Sequence, residues 1–233
     1  MKKIDIYIFR LGEAEGMVIK MKHIYIVLIK AHTGLGRFAR MVTGYDYTHI
    51  ALCLQKELMD FVTYSRKRHF MPLYAGFMHE YRDYYAFGKN KNVKVKVFRL
   101  PVEDHCHERI LEFISQCEND EEQMFNLFSM MTMPLFHGFR IYKAHNCMSF
   151  TAKVLKLSGT VEMDRPYYKY SIKDMDGLLH EYTVFQGNLK RMESPEYGKY
   201  MEKPLLSEVF KTGADTIFSL TKRMILYGNR IEE

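Results

Sequence analysis

Residues 145–157, HNCMSFTAKVLKL, decide how this chain is read. They set a cysteine where an irregular segment turns into a helix. Phe150, Val154 and Leu157 recur at helical spacing, and Gly159 follows as a stop. Cys147 then falls in the first helical turn, where free backbone N–H groups and the positive end of the helix dipole favour a thiolate. The same place also suits a small buried hydrophobe, the commoner fate of a lone cysteine.

A second stretch, YTHIALCL (47–54), reads as a buried strand with His49 near its start. A cysteine nucleophile needs a base or imidazolium partner that is near in space, though not in sequence. A helix-start cysteine packed against a strand histidine is the papain-like arrangement. Here the histidine comes first, the reverse of papain.

Taken together, YTHIALCL and HNCMSFTAKVL resemble the circularly permuted NlpC/P60 (papain-like) superfamily, which includes the lecithin:retinol acyltransferase-like and YiiX-like bacterial proteins. In these a strand histidine precedes a cysteine in an Asn-Cys-x-x-Phe context, matched by Asn146, Cys147 and Phe150. The intervening FVTYSRKRHFMPLYAGFMHE (61–80) is similar to a Tyr-Ser-Phe-Gly-Arg…Gly-Gly-Phe…Glu stretch of bacterial members. The resemblance covers residues 21–190. It implies an α+β, permuted papain-like fold in which an antiparallel sheet packs against the helix carrying the cysteine.

The implied activity is that of a cysteine-dependent peptidase or amidase, with acyl transfer as a close variant, acting through a thioester. Cys147 is the expected nucleophile and His49 the general base. A third polar group should orient the imidazole, and Thr63 ranks first, then Glu80, then Ser65. Relatives often carry His, Glu or another polar residue there, so a threonine is a departure. Asn146 and Tyr47 are the remaining candidate binding residues; Tyr45 and Tyr47 read as cleft walls or core. His145 is the runner-up base. The substrate is a peptide, an amide or a lipid acyl group. The rival reading is a non-catalytic lipid- or partner-binding module on the same fold.

Bulk properties narrow the classes. The 233 residues are 47% hydrophobic, with 17 Tyr and 16 Phe, enough for one buried domain with an appendage. A formal net charge of +6 is compatible with nucleic acid or anionic lipid, but Lys and Arg are scattered, which argues against nucleic acid. Four cysteines without a CxxC pair suggest a reducing compartment. The N-terminus makes a poor secretory signal and no long apolar run is present, so the expected location is cytoplasmic. No cofactor or metal is implied, because His105, Cys106 and His107 are adjacent on a helix and point in different directions.

Residues 1–20 read as an N-terminal extension or an extra strand, with Met21 an alternative start; 21–190 form the domain and 191–233 an amphipathic helical tail. Strands are expected over 22–30, 58–65, 92–100 and 180–189, with Gly187-Asn188 as a turn. Helices are expected over 35–43 and 103–118. Residues 66–90 read as loop, and the Met/Phe-rich part of 119–145 as groove lining or core. The tail helix over 204–227 has a basic edge and should break or bend near Gly213. It docks on the domain, or meets a membrane surface or a partner.

Overall fold

The computed structural model describes residues 21–228, without the side chains of residues 35 and 38. The expected extension over 1–20 and the end of the tail, 229–233, lie outside the described residues. In chain order the elements are β1 (Met21–Ile29), α1 (Gly34–Thr43), β2 (His49–Cys53), β3 (Phe61–Arg66), β4 (Ala75–Glu80), α2 (Arg82–Tyr85), β5 (Asn92–Glu103) and α3 (Asp104–Asn119). There follow β6 (Met124–Phe125), α4 (Leu127–Phe136), β7 (Ala144–His145), α5 (Cys147–Ser158), α6 (Ile172–Leu178), β8 (Thr183–Lys190), α7 (Tyr197–Tyr200) and α8 (Leu206–Tyr227).

Among the described residues six strands form one sheet in the order β4-β3-β2-β1-β5-β8, every neighbouring pair antiparallel. The class is therefore α+β. Central β1 explains its own continuous apolar run. Ile24, Ile26 and Leu28 enter one core, Tyr25, Val27 and Ile29 the other, and all six are buried. A strand covered on both faces has no need of polar alternation. The larger core receives Ile110 and Ile114 of α3 and Phe150 and Val154 of α5. The smaller one gathers Val93, Val95 and Val97 of β5 with Phe61 and Tyr85.

The cysteine helix has well-defined ends. The Asn146 side chain accepts from the Ser149 backbone N–H, and Ser149 Oγ accepts from the Asn146 N–H, a reciprocal capping box. Gly159 closes the helix in the left-handed region at φ 64°, which a side chain would strain.

Four expectations need correction. Residues 66–90 hold β4 and α2 rather than loop alone, because AGFMHE acquires strand character by pairing with β3 from Phe61↔Glu80 to Arg66↔Ala75. Strand β5 runs through Pro101 to Glu103, since β8 stops pairing at Phe98 and leaves that edge of the proline free. Gly187 and Asn188 lie inside β8 opposite Val95 and Lys94, and the Phe185 ring lies where a Cβ on Gly187 would stand, 2.8 Å away. Helix α8 passes unbroken through Gly213, whose missing side chain admits Leu73; a Cβ there would meet Leu73 Cδ1 at 3.1 Å.

The tail is tied to the domain at several points. Tyr200 stacks on Tyr84 with ring centroids 3.9 Å apart, and Asp83 accepts from the Ser194 N–H at 2.6 Å. Arg223 donates to the Tyr142 carbonyl at 3.1 Å.

Candidate active site

The register Ile29↔His49 puts His49 at the first position of β2, and Glu80 is the last residue of β4. His49 Nε2 lies 2.6 Å from Glu80 Oε2, short enough for a charge-assisted bond. The carboxylate is buried at 3% exposure and accepts a second bond, 2.8 Å, from the Tyr85 hydroxyl. Ser65 also hydrogen-bonds to it. A buried carboxylate with three partners holds its charge. Burial alone would raise the Glu80 pKa, but the His49 charge and the donors from His49, Ser65 and Tyr85 bring it below the usual value.

His49 shows the complementary balance. Burial works against its cation, yet the Glu80 charge, a hydrogen bond with Cys147 and the bond to Glu80 together raise it to about 10. Cys147 is thus the second polar neighbour of the imidazole. With Nε2 engaged by Glu80, Nδ1 is the ring nitrogen left for the thiol. Cys147 itself is the first residue of α5 and is 6% exposed. Its backbone N–H and that of Met148 have no intrahelical acceptor, as for any first-turn amide, so both are donors for an incoming oxyanion.

The sequence-derived set divides. Cys147, His49, Glu80 and Ser65 come together. Thr63 does not serve as the orienter, because its hydroxyl donates to the Ile50 carbonyl at 3.0 Å in a fully buried position; Glu80 takes that role. Asn146 acts as the helix cap beside the thiol, and its Nδ2 is buried with no partner among the described residues. Tyr47 belongs to the larger core, edge-to-face with Tyr45 at 5.9 Å, and is not a cleft wall. Tyr45 itself donates to Asp176, which also pairs with Lys96.

His145 lies outside the Cys147–His49–Glu80 cluster. It sits against the Tyr64 and Phe113 rings, with Nδ1 3.4 Å from Ser149 Oγ. Burial and the nearby Lys153 and Arg140 charges lower it to about 4, so it stays neutral. It lines a cavity of about 190 Å³ with Asn126, Arg140, Lys153 and Tyr167, and Cys147 and His49 are not among the residues around that cavity. Tyr85 is the one member of the cluster that sequence reasoning missed; nothing in RDYY marks its hydroxyl as a carboxylate donor. His79 pairs with Asp60 at 2.8 Å and Glu118 at 3.4 Å. Among the described residues no group of three or more His, Cys, Asp or Glu side chains is arranged to hold a metal ion. No helix among them is long and apolar enough to cross a membrane.

Comparison with protein-family models, with curated proteins and with solved structures found no match to this chain.

Proposed function

We propose that this chain is a cysteine-dependent acyl hydrolase on a circularly permuted papain-like fold, cleaving an amide or ester through a thioester. The observation that carries the reading is the placement of His49 between a buried carboxylate and the thiol at the start of α5. The order of histidine strand before cysteine helix, against an antiparallel sheet, fits the permuted NlpC/P60 resemblance.

In this reading Glu80 keeps the imidazole charged beside the Cys147 sulfur, which is the nucleophile as its thiolate form. The thiolate sulfur attacks the acyl carbon and forms the C–S bond while the carbonyl oxygen takes the negative charge beside the first-turn N–H groups. As the intermediate collapses, the bond to the leaving amine or alcohol breaks and His49 gives it a proton. Water, or another acceptor in the transfer variant, then loses a proton to His49 and attacks the thioester, which releases the acid and restores the thiolate. No cofactor enters.

The test is acyl-enzyme formation. With activated acyl esters and peptide amides as probes, intact-mass spectrometry should find one acyl group per chain, mapped to Cys147 and absent in Cys147→Ser. Acylation elsewhere, or in the serine variant, contradicts the proposal. One observation favours the non-catalytic lipid- or partner-binding reading: Cys147 is only 6% exposed. That reading predicts ligand binding untouched by Cys147→Ser and no turnover in the parent.

A further inference from the structure

Helix α8 docks by one side and, among the described residues, leaves its other side uncovered. Gly213 and Leu220 are its buried residues, and Leu220 packs with Ile141 and Ala144 in a small separate core. At 100° per residue Thr216, Arg223 and Tyr227 fall on the same side, and each contacts the domain: Thr216 the Leu73 carbonyl, Arg223 the Tyr142 carbonyl and Tyr227 the Tyr142 ring. Phe210, Ile217, Phe218 and Ile225 fall on a neighbouring stripe and are 76%, 45%, 71% and 77% exposed. Single exposed apolar residues are ordinary, but a stripe of large ones on one helix marks a contact surface.

The charges say which surface. Glu208 at the helix start is paired with Arg68 at 3.3 Å. Lys211 and Lys222 adjoin the apolar stripe at 100° per residue, on the side away from the domain, and have no carboxylate within ion-pair distance among the described residues. Among the described residues the polar edge therefore presents two unpaired ammonium groups against one unpaired carboxylate, Asp215. Long lysine stems lie along an apolar boundary while their heads stay in water, the geometry of a helix lying in a lipid headgroup layer. Helix α4, whose first turn packs around Leu220, adds exposed Met131, Leu135 and Phe136.

We infer that α8 lies on an anionic phospholipid bilayer, with the Phe210–Ile225 stripe among the acyl chains and Lys211 and Lys222 at the phosphates. The inference stands whether or not the chain is a hydrolase. It is tested by co-sedimentation of the full chain with vesicles of phosphatidylcholine, with and without phosphatidylserine, at low and high salt. The parent should bind the phosphatidylserine vesicles and lose binding as salt rises. Phe210→Glu with Phe218→Glu should weaken binding at least about tenfold, because each large side chain buried in lipid is worth a factor of that order. Lys211→Glu with Lys222→Glu should reduce binding to phosphatidylserine vesicles to the level seen without it. All four positions are exposed or on the outer edge, and circular dichroism checks that the variants stay folded. Two results overturn the inference: no binding to either vesicle, or a concentration-dependent dimer by light scattering that the phenylalanine substitutions abolish, which would make the stripe a protein interface.

Discussion

Glu80→Gln should unmake the charged state of His49 with almost no change in shape. Glutamine keeps the volume and one hydrogen-bond acceptor, but it removes the negative charge that lies 2.6 Å from Nε2. Burial then dominates, and the imidazole falls from about 10 to or below its reference value of about 6.5. The gap between neutral pH and a value near 10, at about 1.4 kcal/mol per decade, amounts to roughly 4 kcal/mol of stability at pH 7. That agrees with the ~3–5 kcal/mol expected for breaking a buried ion pair. A histidine whose folded pKa lies above its unfolded one stabilises fully below about 6.5 and loses that contribution as pH rises through about 10. Denaturant unfolding of parent and variant across this range should therefore show a difference of roughly 3–4 kcal/mol near neutrality that shrinks as pH rises and is nearly gone by about pH 10. A difference that is constant with pH would mean that Glu80 acts by packing alone and would refute the reasoning. So would a parent His49 resonance that titrates near 6.5.

Other expectations are direct. Asn146→Ala removes the cap on α5 and should cost about 1 kcal/mol, with faster hydrogen exchange at the Ser149 amide. Phe150→Ala empties a fully buried site ringed by Tyr64, Phe77 and Phe113, and should cost ~3–5 kcal/mol in chemical unfolding. His145 is held neutral in the fold down to about 4, so acid charges it first in the unfolded chain. Stability should fall as pH drops from about 6.5 to about 4, His145→Gln should remove that part of the slope, and the same variant should leave Cys147 alkylation unchanged.

The helix of Cys147 was legible because three local signals agree there: the Asn cap, the 3.6-residue apolar repeat and the closing glycine. The histidine strand was legible as an apolar run bounded by turns. Glu80 was harder to rank. Its strand, AGFMHE, ends in two polar residues and starts with Ala-Gly, and only its pairing with β3 makes it a strand. With β4 taken for loop, the neighbouring strand offered Thr63 as the nearest polar group, although that hydroxyl turns to the Ile50 carbonyl. Glycines misled in the same way. Gly187 and Gly213 look like punctuation, yet each makes room for another side chain, Phe185 of the same strand over one and Leu73 from outside the helix against the other. Local propensity gives no sign of such tertiary uses.

The most direct test of the dyad is the rate of Cys147 alkylation by a small haloacetamide at neutral pH, read by peptide mass spectrometry in the parent and in His49→Ala. All four cysteines are buried, so burial does not separate them. Burial pushes the Cys53 thiol up and the Cys117 thiol to about 11, which makes both slow internal standards. The account predicts that Cys147 reacts faster than either standard, and that His49→Ala brings it down to their level while theirs stay as they were. A Cys147 that reacts no faster than Cys53 and Cys117 in the parent, or that keeps its rate without His49, would contradict it.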